Sequence, residues 1–223
     1  MKRCVVPSED LLCALGETGI LPVVSIPTSE VAVPLAGALV ATGVRALEVT
    51  FRTSCALEGI RRIRAAFPEL KLGAGTVLDA EQVHAAKDAG ADFLVTPGLD
   101  VDLVRAAAEQ GLPIIPGVTS PTEIMCAARL GLTTLKFFPA EISGGVAALT
   151  LYHGPFPGIR FIPTGGMNRD NIGAYLRKPF VLACGGSYMA PSAEIKAGNW
   201  TGISELCRDC MACARAARLE DRT

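Results

Sequence analysis

Residues 126–141, CAARLGLTTLKFFPAE, run from an alanine-rich helical stretch through a glycine into a short apolar run that ends in polar and turn residues. The same order returns in 38–53 (ALVATGVRALEVTFRT), 84–98 (HAAKDAGADFLVTPG) and 105–120 (RAAAEQGLPIIPGVTS). Each phrase reads as a helix, a capping glycine and a strand, which is the αβ half of a βαβ unit. Extending the pattern predicts strands near 21–26, 46–50, 71–76, 93–96, 113–118, 134–138, 160–163 and 181–185. Helices are expected to begin near Ser29, Cys55, Ala80, Asp100, Thr122, Gly145 and Asn168, with a last one from about Ile203 and an extra one near Ser8 to Leu15. Eight such units predict an α/β fold: a single (β/α)8 TIM barrel with an extra N-terminal helix, one domain over residues 1–223 with the barrel proper at about 19–218. An open doubly wound sheet shares the alternation, but no G-x-G-x-x-G follows the first strand, which favours the barrel.

Composition narrows the chemistry. A chain of 223 residues with 50% hydrophobic content, 19% charge and a net charge of -1 is long enough for one substantial core. Its arginines are scattered, so it carries no electrostatic footprint for nucleic acid or an acidic membrane surface, and the expected partner is a small molecule. The opening MKRCVVPSEDLL reaches charge too soon for a signal-peptide core, and no apolar run approaches the roughly 20 residues that span a bilayer, so a cytoplasmic protein is expected. Eight cysteines in that compartment read as reduced thiols. Cys207, Cys210 and Cys213 form C-x-x-C-x-x-C, but no fourth cysteine completes an iron–sulfur run, and small residues packing a terminal helix is the reading adopted.

Barrel chemistry sits at the carboxyl ends of the strands, here EVTFRT, GAGTV, VTPG, PGVTS, KFFPAE, PTGGMN and CGGSY. Of the six lysines only Lys136, in TTLKFFPAE, is enclosed by apolar residues, where a strand covered on both faces normally admits none but apolar side chains. Lys136 lies five residues after Gly131, and Glu48 five after Gly43, so the two hold equivalent places and project in the same direction. An amine enclosed in this way is a candidate nucleophile for carbonyls; the competing reading is a structural lysine paired with Glu48 or Glu141. Glu48 and Arg52 suit proton transfer and bidentate capture of a substrate carboxylate, a pair fitted to an α-keto acid, or else form a salt bridge at the rim.

Thr164, Gly165 and Gly166 at one strand end, and Gly185, Gly186 and Ser187 at the next, are glycine turns of the kind that cradle phosphate after strands seven and eight of a barrel. The alternative is tight turns that need glycine for conformation alone. The two histidines, His84 and His153, are expected at the surface, and no metal-ligand spacing or serine–histidine–acid set is present at the strand ends.

LEVTFRT, GAGTVL, TPG, KFFPAE, PTGG and GGS, in this order and over nearly the whole chain, resemble the 2-keto-3-deoxy-6-phosphogluconate (KDPG) and 4-hydroxy-2-oxoglutarate (KHG) aldolase family. The resemblance implies a class I aldolase without metal or cofactor, whose imine-forming lysine is Lys136 and whose proton-shuttling glutamate is Glu48. It places the carboxylate on Arg52, the pyruvyl portion among Thr76, Pro97 and Phe138, substrate hydroxyls on Thr164, and phosphate on Gly165, Gly166, Gly186 and Ser187. It implies cleavage of KDPG to pyruvate and glyceraldehyde 3-phosphate, activity on 4-hydroxy-2-oxoglutarate as well, and a homotrimer. Tyr188 stands where a tryptophan often follows GGS, and Phe51 where leucine is common in EVTLRT, which leaves substrate preference open.

Three other functions compete. An aldolase for the galactonate epimer would share the site, although its specific members carry an apolar residue near the place of Thr164. A phosphosugar isomerase or epimerase on the same barrel would keep the glycine turns without needing an imine at Lys136. A noncatalytic binder of phosphorylated sugars would show ligand-dependent stabilisation and no product.

Overall fold

The glycine that follows the helical stretch in each of the four repeats adopts a left-handed conformation: φ is 98° at Gly43, 92° at Gly90, 66° at Gly111 and 85° at Gly131. Only glycine does this cheaply, so each helix is ended at its glycine and the chain is turned into a strand. The computed structural model describes residues 4–220; Lys2 lies outside them. Nine strands follow in order: β1 (Ile20–Val24), β2 (Ala46–Thr50), β3 (Lys71–Gly75), β4 (Phe93–Val95), β5 (Ile114–Ile115), β6 (Gly117–Val118), β7 (Thr134–Phe137), β8 (Arg160–Pro163) and β9 (Cys184–Gly186).

All pairings between these strands are parallel, giving an α/β fold. One sheet runs β5-β4-β3-β2-β1-β9 and the other β6-β7-β8, with isolated parallel bridges Phe161↔Val181 and Thr164↔Gly185 between β8 and the segment of β9. β1 and β2 are buried along their whole length, as strands covered on both faces are.

Local chemistry explains where the boundaries depart from the expected ones. The strand expected at 113–118 is split at Pro116, which lacks an N–H, yet the Pro116 carbonyl still accepts from the Lys136 N–H at 2.9 Å and keeps β7 in place. The helix expected from Asn168 begins only at Ile172, because the Asn168 side chain accepts from the Asp170 and Asn171 N–H groups at 2.8 and 3.2 Å and holds a turn. The final helix starts earlier than expected, at Trp200, and a short helix, Ser192–Ala197, precedes it. The N-terminal helix Glu9–Thr18 is capped by Ser8, whose side chain accepts from Leu11 N–H at 3.2 Å.

The apolar residues form a large cluster and a smaller one. In the smaller, Leu21, Ala46, Phe93, Val95, Ile115 and Ile162 gather with Leu11 and Leu15 of the N-terminal helix. Ala46 lies two residues before Glu48 on β2, so by alternation the two share a sheet face.

That face admits a carboxylate because β3 is bare where it passes β2. A Cβ on Gly75 would stand 2.2 Å from Glu48 Oε1. Gly75→Ala is therefore expected to overpack the buried carboxylate and to cost about 1–3 kcal/mol of stability, measurable by chemical denaturation.

Candidate active site

Register puts the two charged strand residues where their side chains meet. Glu48 of β2 pairs with Val23 and Gly73, and Lys136 of β7 pairs with Gly117 and Ile162. Their side chains approach across the intervening space to 3.4 Å between Lys136 Nζ and Glu48 Oε1, with Glu48 1% and Lys136 7% exposed. Lys136 Nζ also lies 5.1 Å from the centre of the Phe138 ring. Glu48 Oε2 is buried and has no hydrogen-bond partner among the described residues, an acceptor left available for a proton. Of the two carboxylates considered for Lys136, the structure selects Glu48; Glu141 instead accepts a hydrogen bond from the Tyr175 hydroxyl. Burial first, and then that bond, raise the Tyr175 hydroxyl well above the usual phenol range.

Lys136 opens into a cavity of about 470 Å³. Arg52, Phe138 and Thr164 line it with the lysine, and so do Gly165, Gly166, Gly186 and Ser187. Arg52 is exposed at the mouth and makes no ion pair with Glu48, so the rim salt bridge does not form. The Thr164–Gly166 turn is tied to the end of β7: Ala140 N–H donates to the Thr164 carbonyl at 2.8 Å and Glu141 N–H to that of Gly165 at 3.2 Å. The approach is close enough that a Cβ on Gly166 would meet Glu141 Cγ at 2.6 Å. Glycine at this turn lets main chain line the cavity with no side chain in the way.

Thr76 and Pro97 stand just beyond β3 and β4 and are not among the residues lining this cavity. Sequence reasoning missed Val23, Ser25, Met167, Tyr188 and the 190–192 segment, which do line it. Ser25 carried a usable signal: it is the polar residue that ends the apolar run of β1, as Arg52 and Thr76 follow theirs. His84 is exposed, as expected, but His153 is half-buried, stacked on Phe180 with ring centres 4.0 Å apart. Among the described residues no three His, Cys, Asp or Glu side chains gather in a way that could hold a metal, and no helix is long and apolar enough to cross a membrane.

The C-x-x-C-x-x-C run lies on the helix Trp200–Glu220 with Cys207 and Cys210 buried as free thiols. Burial raises both, Cys210 to about 12, which keeps them protonated and inert. A second cavity of about 470 Å³ is lined by Asp10, Val40, Val44, Arg45 and residues 66–71 and carries no such constellation: Arg45 is paired with Glu17, and Lys71 with Asp10 at 3.7 Å.

Thr76 is the one non-glycine among the described residues with a positive φ, 58°. A β-branched residue held there is strained by roughly 1–2 kcal/mol. Thr76→Gly should unfold at a temperature equal to or above that of the unsubstituted chain, because strain relief offsets the roughly 1 kcal/mol that glycine's extra freedom costs. A clear fall in Tm contradicts this.

Three comparisons place the chain among known proteins. The sequence profile described as "Aldolase: KDPG and KHG aldolase" matches residues 13–206. A 2-dehydro-3-deoxy-phosphogluconate aldolase of Pseudomonas aeruginosa is 46% identical over 202 residues, 91% of each chain. Two solved structures are each 39% identical and superpose closely. The KDPG aldolase of Legionella pneumophila, with pyruvate captured at low pH as a covalent carbinolamine intermediate, has a TM-score of 0.86 over 90% of this chain and 97% of its own. The 2-keto-3-deoxy-6-phosphogluconate aldolase of Zymomonas mobilis, with 3-phosphoglycerate, has a TM-score of 0.84 over 90% and 94%. On profile, identity and superposition together, the chain belongs to the KDPG and KHG aldolase family.

Proposed function

We propose that this chain is a class I aldolase that cleaves KDPG to pyruvate and glyceraldehyde 3-phosphate, with Lys136 as the imine-forming residue. The observation that carries the reading is the buried Lys136–Glu48 pair, 3.4 Å apart, whose lysine opens into a cavity also lined by the two glycine turns. Support also comes from the Legionella relative, since a carbinolamine is the first adduct an amine forms with the C2 carbonyl of pyruvate. Arg52 holds the substrate carboxylate, with Thr76, Pro97 and Phe138 around the pyruvyl portion and Thr164 toward the substrate hydroxyls. Gly165, Gly166, Gly186 and Ser187 hold the phosphate.

The proposed chemistry balances within these residues. Lys136 passes a proton to Glu48 and attacks C2 as the neutral amine; Glu48 returns that proton to the carbinolamine oxygen, and loss of water leaves a protonated imine beside the Glu48 carboxylate. Glu48 takes the proton of the C4 hydroxyl, the C3–C4 bond breaks, its electrons pass into the iminium, and glyceraldehyde 3-phosphate leaves. Protonation of the enamine at C3 and hydrolysis release pyruvate and the amine. Cleavage of 4-hydroxy-2-oxoglutarate is a second activity, favoured by the pairing of both substrates in the family's description. The galactonate epimer and isomerase readings stay secondary, the latter because it gives the buried lysine no task.

The same proposal covers the architecture. One (β/α)8 barrel domain over residues 1–223, with the N-terminal helix in addition and the barrel proper at about 19–218, is supported by the β1–β9 pairing and by the two bridges from β8 to the segment of β9. A homotrimer is expected from the family resemblance, and exposed apolar side chains such as Ile142, 87% exposed, and Leu151 are ones that an interface would cover. Eight free thiols suit the reducing cytoplasm.

Steady-state cleavage of KDPG, followed through pyruvate release, tests the assignment. Lys136→Ala should lose at least about 10³-fold in kcat, and Glu48→Gln roughly 10²–10⁴-fold. Ser187→Ala should raise KM for the phosphorylated substrate about 5–10-fold with kcat little changed, the loss of one hydrogen bond. Undiminished kcat in Lys136→Ala overturns the mechanism.

A further inference from the structure

We propose that Ser25, at the end of β1, is a specificity-determining residue: together with Thr164 it presents hydrogen-bond acceptors that select a substrate chain bearing hydroxyls over one ending in a second carboxylate. The inference rests on the aldolase reading above and concerns the stretch of cavity between the keto acid and the phosphate.

Ser25 lines the cavity, and its Oγ lies 2.7 Å from Oγ1 of Thr50, which is 1% exposed. Thr50 Oγ1 in turn lies 3.1 Å from the Val24 carbonyl oxygen, which can only accept. A hydroxyl carries one proton. Running Ser25 to Thr50 to Val24 makes both bonds, whereas the reverse direction leaves the bond to the carbonyl unmade, so Ser25 spends its proton on Thr50. What Ser25 turns to the cavity is therefore lone pairs. Thr164 does the same, since its hydroxyl donates to the Ile162 carbonyl at 3.3 Å.

The cavity thus combines donors, from Arg52, Lys136 and Ser187, with these two acceptors. A chain of free hydroxyls brings donors to those acceptors. The second carboxylate of 4-hydroxy-2-oxoglutarate brings only acceptors and is opposed.

The test is the ratio of kcat/KM for KDPG to that for 4-hydroxy-2-oxoglutarate. In Ser25→Ala the ratio should fall about tenfold, through KM for KDPG, while Ser25→Thr, which keeps the hydroxyl, holds the ratio. Exchange of pyruvate methyl protons with D2O, followed by NMR, should be unchanged in Ser25→Ala, showing the imine-forming half intact. A wild type that cleaves both substrates and a Ser25→Ala variant with the same ratio, whatever its absolute rates, overturn the inference alone. A wild type that cleaves neither overturns the aldolase reading and this inference with it.

Discussion

Holding the Glu48 carboxylate and the Lys136 amine together, buried among parallel strands, constrains everything around them. Glu48 and Lys136 come from distant parts of the chain, and they meet only if β2 and β7 keep their registers against β3 and β6. A one-residue slip in either strand would turn its charged side chain to the opposite face. The neighbours are fitted to this demand: Gly75 leaves the space that the Glu48 carboxylate fills, and the Pro116 carbonyl pins the Lys136 main chain. Such a pair is a poor way to gain stability, because desolvation of both groups offsets their attraction. What it does give is a buried amine that opens into the cavity.

The cavity lining is of mixed hydrogen-bonding character: the basic side chains of Arg52 and Lys136, the lone pairs of the Ser25 and Thr164 hydroxyls, the Ser187 hydroxyl, and glycine turns. One wall is braced from outside the cavity, since the Thr164–Gly166 turn hangs on the main chain of Ala140 and Glu141, and Glu141 is held by Tyr175. The segment KFFPAE therefore carries Lys136 at its start and the brace of the Thr164–Gly166 turn at its close.

Repetition made the architecture legible. The helix–glycine–strand phrase located every strand to within a few residues, and the equal spacing of Lys136 and Glu48 from their glycines placed both on one face before any coordinates. What repetition could not convey was local competition. The side chain of Asn168 delays a helix, and Pro116 divides a strand, because each acts on its own backbone rather than through the repeat. The role of Tyr175 was hidden for another reason: it reaches Glu141 across the fold, and nothing in its local sequence marks it as polar work. Ser25 was readable in principle, as a hydroxyl closing an apolar run, but it lies at the one strand end without a glycine or a charge to draw notice.

The account turns on whether the Lys136 amine forms a covalent adduct with a keto acid. Incubation with pyruvate and sodium borohydride, followed by intact-mass measurement and peptide mapping, tests it directly. The prediction is a single reduced pyruvyl adduct per chain, located on Lys136. No adduct, or adducts spread over the exposed lysines, would contradict it.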